Sequence, residues 1–439
     1  MNQRNSAFRE LKGFLILLVT QSFSALGSAM TSFALILWSY QQVGSALATA
    51  MLSVCSYVPY VVMSIFAGAL SDRLNKKATM LVCDSAAALS TVAVLALYQA
   101  GGLKIGHLYA INALNGLMNT VQRPAADVTV TLLTPEHQYQ RAGALQSLAN
   151  ALVNMLSPVL ASALMAALGL CAVIAIDLTT FAAAFLALLL FVRIPEMECT
   201  RREEESVLAA ARAGMRYLRA HRGVMDLMLF LAAVNLCASV YSAALPARIL
   251  PVPGGGEAAL GIINTVAGLA MLAGSVAASV LPAPRSRVRV ICNALLLSLG
   301  TENILLALGH TLPVWCVGAV LGWIAVPLMN ANLDVLLRST IPVGIQGRVF
   351  SVRNTLQFFT IPVGNFLGGW LVDAVFEPAM AAWAGVPWLS RLFGSGKGSG
   401  AAALFLVIAV YGVAVCVIFR RDGRIWALER RDAGYGTNA

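Results

Sequence analysis

Apolar runs, each long enough to cross a bilayer and separated by short polar turns, leave this chain few ways to fold. Their approximate bounds are 13–40, 46–70, 78–100, 107–132, 142–167 and 170–192, then 224–248, 258–281, 288–309, 312–337, 347–375 and 401–419. A helix needs ~20 apolar residues to span the ~30 Å hydrocarbon core, and inside that core the backbone must satisfy its own hydrogen bonds. Helices are therefore predicted throughout. Charged residues make up 11% of the 439 and hydrophobic ones 59%, with a mean hydropathy of +0.78, against ~25% charged in an ordinary soluble chain. No sizeable soluble domain fits beside the spans.

The net charge of +10 would suggest nucleic acid in a soluble protein, but here the basic residues sit in alternate short loops. With the N-terminus cytoplasmic, the inner segments hold Arg4, Arg9, Lys12, Arg73, Lys76, Lys77, Arg141, the linker arginines, Arg285, Arg287, Arg289, Arg338, Arg348 and the arginines from Arg420 onward. The outer ones hold Lys104, Arg248, Arg391 and Lys397. That asymmetry is the positive-inside pattern, and an even number of spans puts both termini in the cytoplasm. The apolar stretch after Lys12 continues through Phe33 to Trp38, so it reads as an uncleaved first helix and not as a signal peptide. Eight scattered cysteines without Cys-x-x-Cys spacing indicate neither a disulfide framework nor a zinc site. The expected organisation is a bundle over 1–192, a charged cytoplasmic linker over 193–222 and a second bundle over 223–439. The outer segment from Phe376 to Gly400, with Trp383 and Trp388, suits an interfacial flap.

The two halves repeat. Asp127-Val128, Pro135 and Arg141 recur as Asp334-Val335, Pro342 and Arg348 at one offset of 207 residues. The same offset lays Ser157-Pro158, Ala161 and Ser162 over Gly364-Asn365, Gly368 and Gly369. Between the second and third spans stands Gly68-Ala-Leu-Ser-Asp-Arg-Leu-Asn-Lys-Lys77. This turn resembles the signature loop of the major facilitator superfamily, with Asn75 in place of the usual glycine; asparagine also tolerates the left-handed conformation a tight turn asks for. The small-residue pattern on spans 5 and 11 resembles a motif of the family's exporters. The stretch Gln122 to Arg141 and Ile176-Asp177-Leu178-Thr179-Thr180-Phe181 resemble its macrolide-efflux branch.

The resemblance implies an all-α integral membrane fold of twelve transmembrane helices in two pseudo-symmetric six-helix bundles, working by alternating access. It also implies a cytoplasmic gate in which Asp72, Lys76 and Asp127 cluster and favour the outward-open state. Arg73 belongs to the same loop. Arg123 and Asp127, like Asp334 and Arg338, are one helical turn apart and can pair on their own helix.

A charge at bilayer depth costs a few kcal/mol or more, so it lines a cavity, pairs or moves protons. Glu302 is predicted ~21 Å along its span, past the middle of the core. Asp177 comes next, then Asp373 near the outer end of span 11. For Glu302 the readings are proton coupling, substrate binding or a structural hydrogen bond with Asn303. For Asp177 they are coupling or helix packing. Candidate cavity residues are Gln21, Asn150, Asn154, Asn235, Tyr241, Asn330, Arg353 and Gln357, with Asn264, Asn332 and Asn354 beside them. A wall of amides and aliphatics suits a small-molecule substrate that is bulky and amphiphilic. No Gly-x-x-x-x-Gly-Lys-Ser/Thr phosphate loop occurs and the histidines fall at span edges, so an ion gradient is the expected energy source and an intramembrane enzyme is disfavoured. Expected partners are substrate, protons and lipid bilayer, with no nucleic acid and no cofactor, for a monomer. An importer, siderophore exporter or lipid flippase on the same fold stays open. In a variant keeping Cys199 as its sole cysteine, a membrane-impermeant thiol reagent should label inside-out vesicles and leave intact cells unlabelled; labelling of intact cells reverses the topology.

Overall fold

A computed structural model describes residues 11–73, 75–135, 139–192, 215–282, 284–341, 349, 359–383 and 385–435. Among them no strand occurs. The first six helices are α1 Lys12–Val43, α2 Ala46–Arg73, α3 Lys76–Gln99, α4 Ile105–Leu133, α5 Tyr139–Leu168 and α6 Leu170–Leu190. Then come α7 Arg222–Ile249, α8 Glu257–Val280, α9 Arg287–Leu308, α10 Leu312–Trp323 continued as Val326–Thr340, α11 Phe359–Ala382 and α12 Ser399–Arg421. A thirteenth, α13, covers Gly423–Tyr435. Eleven of these helices are long and apolar enough to cross a membrane. The exception among α1–α12 is α4, whose 29 residues include Asn112, Asn115, Asn119, Gln122, Arg123 and Asp127. It has the length of a span but carries a polar stripe.

The helices gather into two compact units, Met1–Gln42 with Cys55–Glu204 and Val43–Val54 with Glu205–Ala439. In the first, Leu17, Met80, Ala125, Leu188 and Val192 form a buried cluster joining α1, α3, α4 and the end of α6. Lys77 Nζ donates to the carbonyls of Leu189 and Val192 at 2.9 and 2.8 Å, a cation on the open carbonyls of a helix C-terminus. In the second unit, Asp373 accepts from Ser45 Oγ and from the amides of Ala46 and Leu47. It thereby satisfies the first turn of α2. Glu377 does the same for α12 through the amides of Gly398 and Ala401.

Several sequence expectations change. Asn75 is not left-handed; at φ −63° and ψ 119° it caps α3, its side chain accepting from the Ala78 amide at 3.1 Å. Much of the segment from Phe376 to Gly400 is helical. Helix α11 runs on to Ala382, and a short helix Pro387–Phe393 follows, with Leu389 and Phe393 packed on Met380 and Ala402. Its indoles, Trp383 and Trp388, remain exposed. Of the linker, residues 193–214 lie outside the described residues. Arg248 is not a loop residue: it lies in the last turn of α7 with 1% of its surface exposed. Its guanidinium donates to the carbonyls of Leu306 and Gly309 at 2.9 and 2.6 Å and lies 5.5 Å from the Trp315 ring centroid.

Glycines decide how closely the helices approach. A Cβ at Gly116 of α4 would lie 2.0 Å from the Ser56 carbonyl oxygen of α2, and one at Gly274 of α8 would lie 2.0 Å from that of Ile324, where α10 breaks before Pro327. On α11, Gly364 and Gly368 take the backbone and side chains of Leu236 to Ala243 of α7 at 2.5 to 2.9 Å from the position of a Cβ. Such contacts suit membrane helices, which associate by close packing and not by a hydrophobic driving force. Gly116→Val and Gly274→Val should each cost at least about 1–3 kcal/mol, because the obstacle is backbone. Thermal unfolding in detergent, followed by size-exclusion chromatography, should show a lowered Tm and lost monodispersity for both.

Candidate functional site

Glu302 has 5% of its surface exposed, deep in the second unit. It closes a π-helical turn, Ser298–Glu302, inserted in α9. Such turns are rare, occur often at functional sites, and re-aim the side chains that follow. Its Oε1 accepts from the Tyr241 hydroxyl of α7 at 2.7 Å and from the Trp323 Nε1 of α10 at 3.1 Å. Tyr241 also meets the Phe405 ring edge to face at 5.6 Å. Gly322 leaves room for the acid, since a Cβ there would stand 2.0 Å from Oε2. The expected bond to Asn303 does not form: Asn303 Nδ2 turns back to the Leu299 carbonyl at 2.6 Å. Tyr241, expected on a cavity wall, is buried and committed to the carboxyl group.

The other membrane-depth acids differ in their surroundings. Asp177 is buried in the first unit, accepts from Ser28 Oγ at 3.0 Å, and faces Gly27, whose missing side chain makes space for Asp177 and Thr180. It ties α6 to α1. Asp373 lies in a second π-helical turn, Leu371–Phe376, and serves as the cap already described. A cavity of about 510 Å³ opens beside it, lined by Glu377, Trp383 and Lys397 among others; Glu302 does not line it.

Sequence reasoning missed Asp84. It lies about 12 Å along α3 at 1.5 Å per residue, half-buried. One carboxylate oxygen accepts from Gln21 Nε2 of α1 at 3.5 Å and the other from Gln122 Nε2 of α4. The signal was available: an aspartate as the seventh residue of the apolar run that begins at Ala78. It was hidden by its nearness to the basic loop, and Gln21, expected in the cavity, is one of its partners.

The side chains of Asp72, Arg73 and Arg338, and all of Arg353 and Gln357, lie outside the described residues. Of the gate residues that are described, Lys76 stands half-buried in the first turn of α3, while Asp127, Arg123 and Asp334 are exposed. Arg123 places its guanidinium 5.8 Å from the Tyr60 ring centroid, a cation–π distance. Asn150, Asn154 and Asn330 are exposed and Asn235 half-buried; Asn150 accepts from Gln146 at 3.4 Å. Asn150, Asn154 and Asn330 thus keep exposed surface, while Asp177, Asp373 and Glu302 have side-chain donors.

A family model described as Major Facilitator Superfamily matches residues 17–297. Macrolide efflux protein A of Streptococcus pyogenes is 25% identical over 362 residues, covering 81% of this chain and 88% of that protein. Macrolide efflux protein A of Enterococcus faecalis is 26% identical over 328 residues, covering 73% and 99%. Among solved structures, the POT family transporter PepTSo matches with a TM-score of 0.70 at 11% identity, over 96% of this chain and 98% of that one. A bacterial homologue of the iron transporter ferroportin in the inward-facing state gives 0.66 at 14%, over 94% and 99%. Identities this low speak for the fold alone.

The Glu302 site makes a graded prediction. Tyr241→Phe removes one donor and should cost about 1–3 kcal/mol. Gly322→Ala should cost more, because its methyl group would displace the carboxyl group from both partners. Thermal unfolding of the purified variants checks the order.

Proposed function

The chain belongs to the Major Facilitator Superfamily, and from that premise we propose that it is a proton-coupled exporter of bulky amphiphilic compounds. It acts as a monomer in the cell membrane, with both termini cytoplasmic. Two six-helix halves rock about a midplane site and expose it to each side in turn. The export direction and the amphiphilic substrate are supported by the Macrolide efflux protein A relatives, at 25 and 26% identity. The exposed amides Asn150, Asn154 and Asn330 offer adaptable hydrogen bonds without fixed charge, which suits ligands chosen by shape.

Glu302 carries the proposal of proton coupling. A carboxyl group at that depth is costly when charged, and two neutral donors, Tyr241 and Trp323, hold it in place while leaving its charge uncompensated. Alternating access changes its surroundings, so it takes up a proton in one state and yields it in the other. Asp127 and Asp177 are the next candidates. The inner gate proposed for Asp72, Arg73, Lys76 and Asp127, with Arg123, Asp334 and Arg338, clamps the cytoplasmic face in the outward-open state.

Glu302→Gln should reduce gradient-driven export to background while downhill exchange in proteoliposomes stays within about twofold of wild type, because the amide keeps the shape and cannot titrate. Substrate-induced proton release from purified protein should vanish in the variant. Equal release from both proteins moves the coupling role away from Glu302.

A further inference from the structure

Asp84 and Glu302 occupy matching helices. Each lies on the third helix of its half, α3 or α9, and each is met by one donor from the first helix and one from the fourth. In the first unit the donors are Gln21 of α1 and Gln122 of α4; in the second they are Tyr241 of α7 and Trp323 of α10. The 207-residue offset does not superpose the acids themselves: it carries Asp84 to Ile291 and Glu302 to Leu95. The two sites share a layout and differ in depth, exposure and chemistry.

The differences assign the roles. Both donors of Glu302 converge on Oε1, and the residue is buried. The donors of Asp84 divide, one to each oxygen, and the residue is only half-buried. An ionised carboxylate accepts only, with about four lone-pair sites over its two oxygens, so the two amides leave about one on each. Among the described residues no basic side chain bonds Asp84, and Arg123, next to Gln122 in sequence, holds its guanidinium over the Tyr60 ring. Within the membrane an anion with acceptor sites to spare suits a cationic partner, and a ligand can supply one. We infer that Asp84, framed by Gln21 and Gln122, is a binding site for the protonated amine or other cationic head of an amphiphilic substrate, distinct from the Glu302 site. The choice of ligand class rests on the export reading.

The test uses tetraphenylphosphonium as the cationic probe and triphenylphosphine oxide as its uncharged counterpart, with purified full-length protein and equilibrium binding. Wild type should prefer the cation by about tenfold or more, and Asp84→Asn should lose that preference while binding the neutral probe as before. Gln122→Lys, which supplies an internal ammonium to Asp84, should lose it equally, so the inference does not hang on whether one variant folds. Asp84→Glu should retain it. No cation preference in wild type, or a preference that survives both Asp84→Asn and Gln122→Lys, overturns the site and leaves Asp84 as an interhelical tie. Transport of the neutral probe in vesicles is scored separately: its absence from wild type counts against the export reading, while the binding measurement still decides Asp84.

Discussion

A carboxylate that leaves bulk water must find its donors within its own chain, and much of this structure is arranged around that requirement. Asp373 and Glu377 find theirs in the open amides at the starts of α2 and α12. Asp177 finds a serine on α1, and Glu302 a phenol and an indole. A helix N-terminus offers unpaired N–H groups and a partial positive charge, so an acid placed there is a joint. An acid met by neutral side-chain donors is held in position with its charge uncompensated. That distinction separates the caps from the candidate transport groups.

Much of the fold was legible because hydrocarbon permits so few solutions. A run such as Leu170–Leu190 can be little else than a span, and the position of Glu302 followed from counting along α9. Its partners did not. Tyr241 and Trp323 come from helices distant in sequence, and the π-helical turn that aims Glu302 between them leaves no mark in the hydropathy. Asn75 was read for its tolerance of an unusual backbone, whereas its side chain acts as an ordinary cap in extended conformation. Asp84 went unnoticed for a different reason. Its neighbours are those of a basic loop, and only the convergence of Gln21 and Gln122 from two other helices sets it apart.

The repeat shows how duplicated halves diverge under one packing constraint. In each half the second and fourth helices meet at a point where a Cβ would strike a carbonyl oxygen. The glycine sits on the fourth helix in the first half, as Gly116, and on the second helix in the other, as Gly274. The 207-residue offset carries Gly116 to Trp323. With the glycine on the other side of the contact, that position on α10 holds a large side chain, which donates to Glu302.

The C-terminal helix α13 has a bearing on how the protein should be handled. Glu429 accepts from Ser286 Oγ and from the Val288 amide at 3.0 and 2.6 Å, closing the first turn of α9, while Arg424 reaches Asp226 of α7 at 3.5 Å. Gly223 of α7 admits the backbone of Arg424 at 2.7 Å from where a Cβ would lie. By charge alone this segment is one more basic stretch; by contact it is a strap across α7 and α9, the helices that carry Tyr241 and Glu302. Truncation ahead of Gly423, or a purification tag fused there, would therefore loosen the base of the helices that hold Glu302 and Tyr241.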